Sequence, residues 1–217
     1  MSSNNNKVTL YTAGTPNGHP ISILLEELKV PYKPVKVSIS DAEAGKVEIH
    51  VKAPWFLAIN PNGKIPAIVD HEKEDFNVFE TSAILLYLVA EFDKKNQFGF
   101  DPKTQPKEYS EVLQWLFFAH GGVGPMMGQL GHFSIPYAIE RYLNETKRLL
   151  SVVDGRLSKH DYLAADKYTI ADIKAYGWLR NVPRLGIDLG KEYPNVKAWV
   201  DRIDARSAVQ EGLKVPA

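Results

Sequence analysis

Along the first ninety residues the apolar positions switch repeatedly between a period of two and a helical period. Val8–Thr12 reads as a short strand. Ile21, Leu24, Leu25 and Leu28 then recur at helical spacing until Pro31 stops the run. Pro20 is acceptable only in a first helical turn, so this helix is expected to begin near Asn17–His19. Residues 32–39 alternate like a second strand, and 41–59 are less regular. A third strand is expected at 66–70, and a short apolar piece follows near Val78–Phe79. Leu85, Leu88, Val89 and Phe92 mark a helix from about Glu80. The order is β-α-β-α-β-β-α, an α/β arrangement.

The pattern changes after "DKKNQFGFDPKTQP", 93–106, which is charged, carries Gly and two prolines, and reads as a linker. No convincing strand lies beyond it. Tyr109–Ala119 is strongly apolar, and Ile139, Tyr142, Leu143, Thr146, Leu150, Val153 and Leu157 form a helical stripe. Thr169-Ile170-Ala171-Asp172 fits a capping box with Asp in place of the usual Glu, which favours a structural role over a catalytic one. The expected organisation is an α/β domain over residues 1–93, a linker over 94–105 and an all-α domain over 106–217.

Composition removes several kinds of chemistry. The 217 residues hold no cysteine, so a disulfide, a thiolate metal site or a protein thiol nucleophile is excluded. Sulfur chemistry would need a thiol carried in by a ligand. Lys plus Arg equals Asp plus Glu at 26 each, which gives no argument for nucleic acid or an anionic membrane as partner. The polar opening, MSSNNNK, lacks the apolar core of a signal peptide, and no run approaches a membrane span, so a cytoplasmic location is expected. Histidines 19, 50, 71, 120, 132 and 160 show no metal-ligand spacing, and no metal is expected. "GGVGPMMG", 121–128, follows a helical run and contains Pro125; it reads as a kinked helix with close backbone packing rather than a nucleotide loop.

Two stretches carry candidate chemistry. In "NPNGKIPAIVD", 60–70, Pro66 stands where a strand should begin, yet proline has no N–H for a sheet. The expectation is an edge kept open, with a cis Ile65–Pro66 bond and Ile65 presenting its N–H and C=O to a short peptide. In "FETSAILLYL", 79–88, Glu80, Thr81 and Ser82 stand at a helix N-terminus. Simple capping explains them. A site for a zwitterionic amino acid also does: Glu80 takes the ammonium, and the Thr81 N–H and hydroxyl take the carboxylate.

Together with "TPNG" (15–18), "APWFLAINPNGKIPAIVD" (53–70) and "WLFFAHGGVGPMMGQ" (115–129), these motifs resemble the cytosolic glutathione S-transferase family over nearly the whole chain. The nu-class bacterial enzymes and the fungal group containing a prion-forming nitrogen regulator are most similar. The resemblance implies a thioredoxin-like first domain, an all-helical second domain and a homodimer. It implies glutathione as co-substrate, with the γ-glutamyl head at Glu80 and Thr81 and the cysteinyl backbone on Ile65. The glycyl carboxylate would face Lys64, with His50, Val51 or Lys52 nearby. The family's regulator carries a histidine directly before the basic residue of this stretch; here Val51 stands there and His50 lies one step earlier. The thiol would lie at Thr15 and Asn17, with Tyr11 as the rival donor. Asn17 also reads as a helix cap.

The implied activity is glutathione-dependent transfer with disulfide reductase or peroxidase chemistry. Its acceptor would be a small electrophile, disulfide or peroxide, with glutathione or its oxidised form as partner. The acceptor pocket is expected between the domains. Phe117, His120, Met126, Met127, His132, Phe133 and Tyr137 are candidates for its wall, though core packing competes for each. The alternatives are a non-enzymatic regulator on the same fold, without the regulator's long Asn/Gln-rich head, and a transferase-like module of a translation or storage complex.

Overall fold

The computed structural model describes residues 6–217; the polar opening at 1–5 lies outside the described residues. The first half contains β1 (Val8–Thr12), α1 (His19–Leu28), β2 (Tyr32–Lys36), α2 (Pro54–Ile59), β3 (Ala67–Asp70), β4 (Phe76–Phe79) and α3 (Thr81–Phe92). Its four strands form one mixed sheet in the order β2-β1-β3-β4. β1 runs parallel to β2 and antiparallel to β3, and β3 runs antiparallel to β4. This is the thioredoxin-like α/β arrangement. One face of the sheet packs Ala67 and Tyr11 with Val37, Val51 and Phe56 of α2. Residues of the opposite pleat, Leu10 and Ile68, are fully buried, as are Ile21, Leu24 and Leu25 of α1 and Ile84 and Leu85 of α3.

One expectation about Pro66 is overturned. β3 is an interior strand, between β1 and β4, not an edge. The ladder begins at Ala67, which pairs with Tyr11 and Phe79, so Pro66 stands one residue before any hydrogen bond it would have had to donate. The edge strand with a proline is β2, where Pro34 pairs opposite Leu10. The expected cis Ile65–Pro66 bond is present. The second strand is shorter than expected, ending at Lys36, with an isolated bridge from Ser38 to His50 beyond it.

The second half is helical among the described residues. It contains α4 (Pro106–Phe118), a π-helical segment (Ala119–Val123), α5 (Gly124–Leu130), α6 (Pro136–Leu157), α7 (Ile170–Leu179), α8 (Leu189–Glu192), α9 (Pro194–Asp204) and α10 (Ser207–Gly212). By contacts the chain divides into two compact units, Met1–Lys94 with Ser207–Ala217, and Lys95–Arg206. The last eleven residues thus pack with the first unit, where α10 lies on α1. The charged stretch after α3 belongs to the second unit: Phe98 is buried, its ring meets Tyr168 at 6.1 Å, and its carbonyl accepts from the Ile170 N–H at 3.0 Å.

The "GGVG" stretch is a π segment running into α5, as the reading of a kinked, closely packed helix expects. A Cβ on Gly124 would stand 3.0 Å from Trp178 Nε1, and one on Gly128 3.3 Å from Trp178 Cη2. The capping box is also present. The Thr169 hydroxyl accepts from the Ala171 N–H, and Asp172 accepts from the Thr169 N–H at 3.0 Å. The same buried carboxylate accepts from the Leu163 N–H at 2.9 Å and Trp199 Nε1 at 3.0 Å, which locks the loop before α7 and α9 onto one residue. Burial pushes its carboxyl up to about 6 against the pull of these donors.

Candidate functional site

The turn between β1 and α1 is built on Thr15. Its N–H donates to the Ala13 carbonyl at 2.7 Å, and its carbonyl accepts from the Gly18 and His19 N–H groups at 3.1 and 3.0 Å. Its hydroxyl accepts from the Gly18 N–H at 3.2 Å. That bond uses an oxygen lone pair and leaves the hydroxyl proton to donate. Gly18 is required by space: a Cβ there would lie 2.3 Å from Thr12 Oγ1 and 2.4 Å from the Ala13 carbonyl.

This turn is joined directly to the start of α3. The Thr81 hydroxyl donates to the Asn17 carbonyl at 3.2 Å. Thr81 is buried, and Glu80 just before it is exposed at the N-cap. Glu80 adopts φ 72°, a left-handed conformation that disfavours a residue with a Cβ. Strain of about 1–3 kcal/mol held at a candidate binding residue fits a backbone set for function.

The segment leading to Pro66 is clamped by a residue that sequence reasoning did not single out. Asn60 is buried, and its Nδ2 donates to the Lys64 carbonyl at 2.6 Å. Its Oδ1 accepts from the Asn62 N–H at 3.0 Å, and its carbonyl accepts from the Gly63 N–H at 2.9 Å. The signal was there in "NPNG", since an Asn two residues before another turn residue is an Asx-turn pattern. The clamp fixes Lys64, which is exposed, and Ile65, which is half-buried and lies beyond the β3 ladder. Lys52 Nζ reaches the same turn, donating to the Gly63 carbonyl at 3.2 Å.

His50 and Val51 stand differently. His50 is buried, with Nε2 bonded to the Ser40 carbonyl at 3.0 Å and Nδ1 accepting from the Lys52 N–H at 3.0 Å. Both ring nitrogens are taken by the protein's own backbone. Val51 is buried in the α2-side core, so its side chain faces away from solvent. Tyr11 packs its ring 5.6 Å from Trp55 and 6.1 Å from Phe56, and burial raises its phenol pKa, with Asp75 adding to the shift.

In the second unit the acceptor-site candidates separate. Met127 is in the core. His120 lies in the π segment, its ring 6.5 Å from that of exposed Phe117. Phe133 stacks on Tyr142 at 5.6 Å with planes 5° apart and also meets His132 at 5.8 Å. Met126 lines a cavity of about 650 Å³ with Tyr142, Tyr137, Glu140, Arg141 and Arg148. Met126 and Tyr137 are the two expected wall residues in this lining; Glu140, Arg141 and Arg148 were not expected from sequence. Arg148 grips Glu145 through two bonds of 2.7 and 2.8 Å, which holds the Glu145 carboxyl below its ordinary range. Among the described residues no cluster of His, Cys, Asp and Glu that could hold a metal is present, and no helix is long and apolar enough to cross a membrane.

Residues 6–90 match the family model described as glutathione S-transferase, N-terminal domain, and residues 137–207 match that of the C-terminal domain. A disulfide-bond oxidoreductase of Escherichia coli, YfcG, is 42 % identical over 95 % of this chain and 94 % of its own. The chain belongs to the glutathione S-transferase family. Solved structures agree with that assignment. A glutathione transferase homologue from Lodderomyces elongisporus, with two glutathiones per subunit, is 36 % identical with a TM-score of 0.89, covering 98 % of this chain and 100 % of that one. The transferase URE2P8 from Phanerochaete chrysosporium, with oxidised glutathione, is 30 % identical with a TM-score of 0.88, covering 97 % and 95 %. The glutathione transferases of this fungal nitrogen-regulator type and the YfcG type are thus the part of the family that this chain is similar to.

Proposed function

We propose that this glutathione S-transferase uses glutathione to reduce small disulfides, with peroxides as further acceptors, and that its reactive thiolate forms at the Thr15–Asn17 turn. The observation that carries the reading is the Thr81–Asn17 hydrogen bond, which unites the candidate amino-acid site with the start of α1. In this reading Glu80 and Thr81 hold the γ-glutamyl head and Ile65 pairs with the cysteinyl backbone. Lys64 and Lys52 attract the glycyl carboxylate. His50 and Val51 shape the loop that carries Lys52. The oxidoreductase activity named for YfcG and the glutathiones in the solved relatives support it.

The chemistry needs no protein cysteine. A thiol of ordinary pKa 8.5 is only a few per cent ionised at pH 7. Lowering it by about two units takes ~2.7 kcal/mol of preference for the thiolate. One hydrogen bond to the charged sulfur supplies about 1.5–3 kcal/mol, and a helix N-terminus about 0.3–1. The Thr15 hydroxyl, the Asn17 amide and the α1 N-terminus therefore suffice. The thiolate attacks a disulfide R–S–S–R, forming a glutathione mixed disulfide and releasing RS⁻, which takes up a proton. A second glutathione thiolate attacks the mixed disulfide, giving oxidised glutathione and a second thiol. His120, Phe117, His132, Phe133 and Met126 are proposed to contact the acceptor. A homodimer in the cytoplasm completes the proposal.

The test is turnover of 2-hydroxyethyl disulfide by the purified protein with and without glutathione. Turnover that depends on glutathione supports the reading. Tight glutathione binding without turnover of disulfide, peroxide or electrophile favours the regulatory alternative.

A further inference from the structure

The last residues of the chain lie outside both family models, which stop at 90 and 207, yet they pack on the helix that starts at the thiol turn. The contact is closely fitted. Gly212 is buried at the end of α10, and a Cβ there would stand 2.6 Å from both the N and the Cα of Ile23. Backbone lies against backbone, so no side chain could swing aside. Ser22 of α1 is fully buried, and its hydroxyl lies 2.6 Å from the Gly212 carbonyl and 3.0 Å from the His19 carbonyl. A hydroxyl has one proton, and the shorter contact takes most of it. Val209, also on α10, is fully buried. α1 therefore has two anchors of different kinds: the Asn17–Thr81 bond just before its start, and this strap on its middle.

We propose that Ser22 and Gly212 are positioning residues for the glutathione thiol. By holding α1 against the C-terminal strap they set where the turn that leads into it, with Thr15 and Asn17, meets the sulfur. The inference rests on the proposed location of the thiol. It follows from geometry: α1 is ten residues long, and a shift or rotation at Ser22 is carried to Asn17 and Thr15, five and seven residues away. A thiolate held by one or two hydrogen bonds is sensitive to such a shift, since displacement by about 1 Å can change rates on the order of 100-fold.

The experiment compares Gly212→Ala and Ser22→Ala with Ile203→Ala, a fully buried change in the other unit. Three quantities are read in the full-length protein: Tm, glutathione affinity, and the pKa of bound glutathione from ultraviolet thiolate absorbance. The expected result is that both strap variants raise the thiol pKa, Gly212→Ala more, with rates at neutral pH about tenfold lower and recovering at high pH. Ile203→Ala should lower Tm without moving the thiol pKa. Ser22→Ala introduces no clash and keeps the test readable if Gly212→Ala fails to fold. Strap variants that lose Tm but keep the wild-type thiol pKa overturn the proposal, because the strap then only stabilises the fold. If wild type itself shows no lowered thiol pKa, the proposed location of the chemistry fails first, and the strap inference goes with it.

Discussion

Asn17 and Tyr11 illustrate how much a single side chain's address matters. They are six positions apart, yet Asn17 lies in the turn that opens α1, while Tyr11 sits in β1 with its ring in the cluster of Trp55 and Phe56. Asn17→Ala is expected to raise the pKa of bound glutathione, so activity falls most at neutral pH and partly recovers at high pH. Tyr11→Phe keeps the packing and is expected to leave that profile unchanged; thiolate absorbance against pH decides between them. Glu80 offers a second test, because its backbone sits at φ 72°. Glu80→Gly removes the carboxylate and relieves the conformation at once. Glutathione affinity should fall by roughly 5- to 150-fold, about 1–3 kcal/mol, while Tm holds or rises. Calorimetry that finds unchanged affinity reduces Glu80 to a helix cap.

At the level of elements, the π segment and α5 are shaped by one aromatic ring. Trp178 fills the space that side chains on Gly124 and Gly128 would need. Gly124→Ala overpacks that contact and is expected to cost about 1–3 kcal/mol in chemical denaturation, with Gly121→Ala, which meets nothing within 4 Å, near neutral. The π turn lies directly before α5, and His120 on it meets the ring of exposed Phe117 at 6.5 Å. β3 shows the opposite dependence. Its interior place follows from pairing with β1 and β4, partners far away in sequence, and Pro66 is tolerated because the ladder starts one residue later.

For the whole molecule, one buried carboxylate ties distant segments of the second unit together. Asp172 takes donors from Leu163, Thr169 and Trp199. Asp172→Asn turns an NH₂ toward donors and is expected to destabilise by about 3–5 kcal/mol, through broken buried hydrogen bonds. Burial raises the carboxyl from 3.8 to about 6. A raised folded-state value means that this group's stability is complete below about pH 4 and lost as pH rises through 6, a term on the order of 3 kcal/mol. Unfolding free energies from denaturant at pH 4.5 and 7.5 should differ by about 2 kcal/mol of that term in wild type, and Asp172→Asn should lack it. The division of the chain follows contacts, not sequence order, since Ser207–Ala217 returns to the first unit.

Periodicity and punctuation are local, which is why the element order, the start of α1 near Asn17–His19, the capping box at Thr169 and the kinked helix of 121–128 were legible in the residues alone. The motifs "TPNG", "KIP" and "FET" carried the family for the same reason, each needing only a few neighbouring residues. Tertiary structure decided what depends on partners distant in sequence. It made β3 an interior strand and used both His50 nitrogens on backbone. It buried Val51 and Met127, gave Asn60 the task of holding Lys64, and returned Gly212 to Ile23. The physical reason is the same throughout. A residue's local preference is set by its own backbone and side chain, whereas which groups are buried, and which hydrogen bonds remain to be met, is set only when segments far apart in the chain pack against one another.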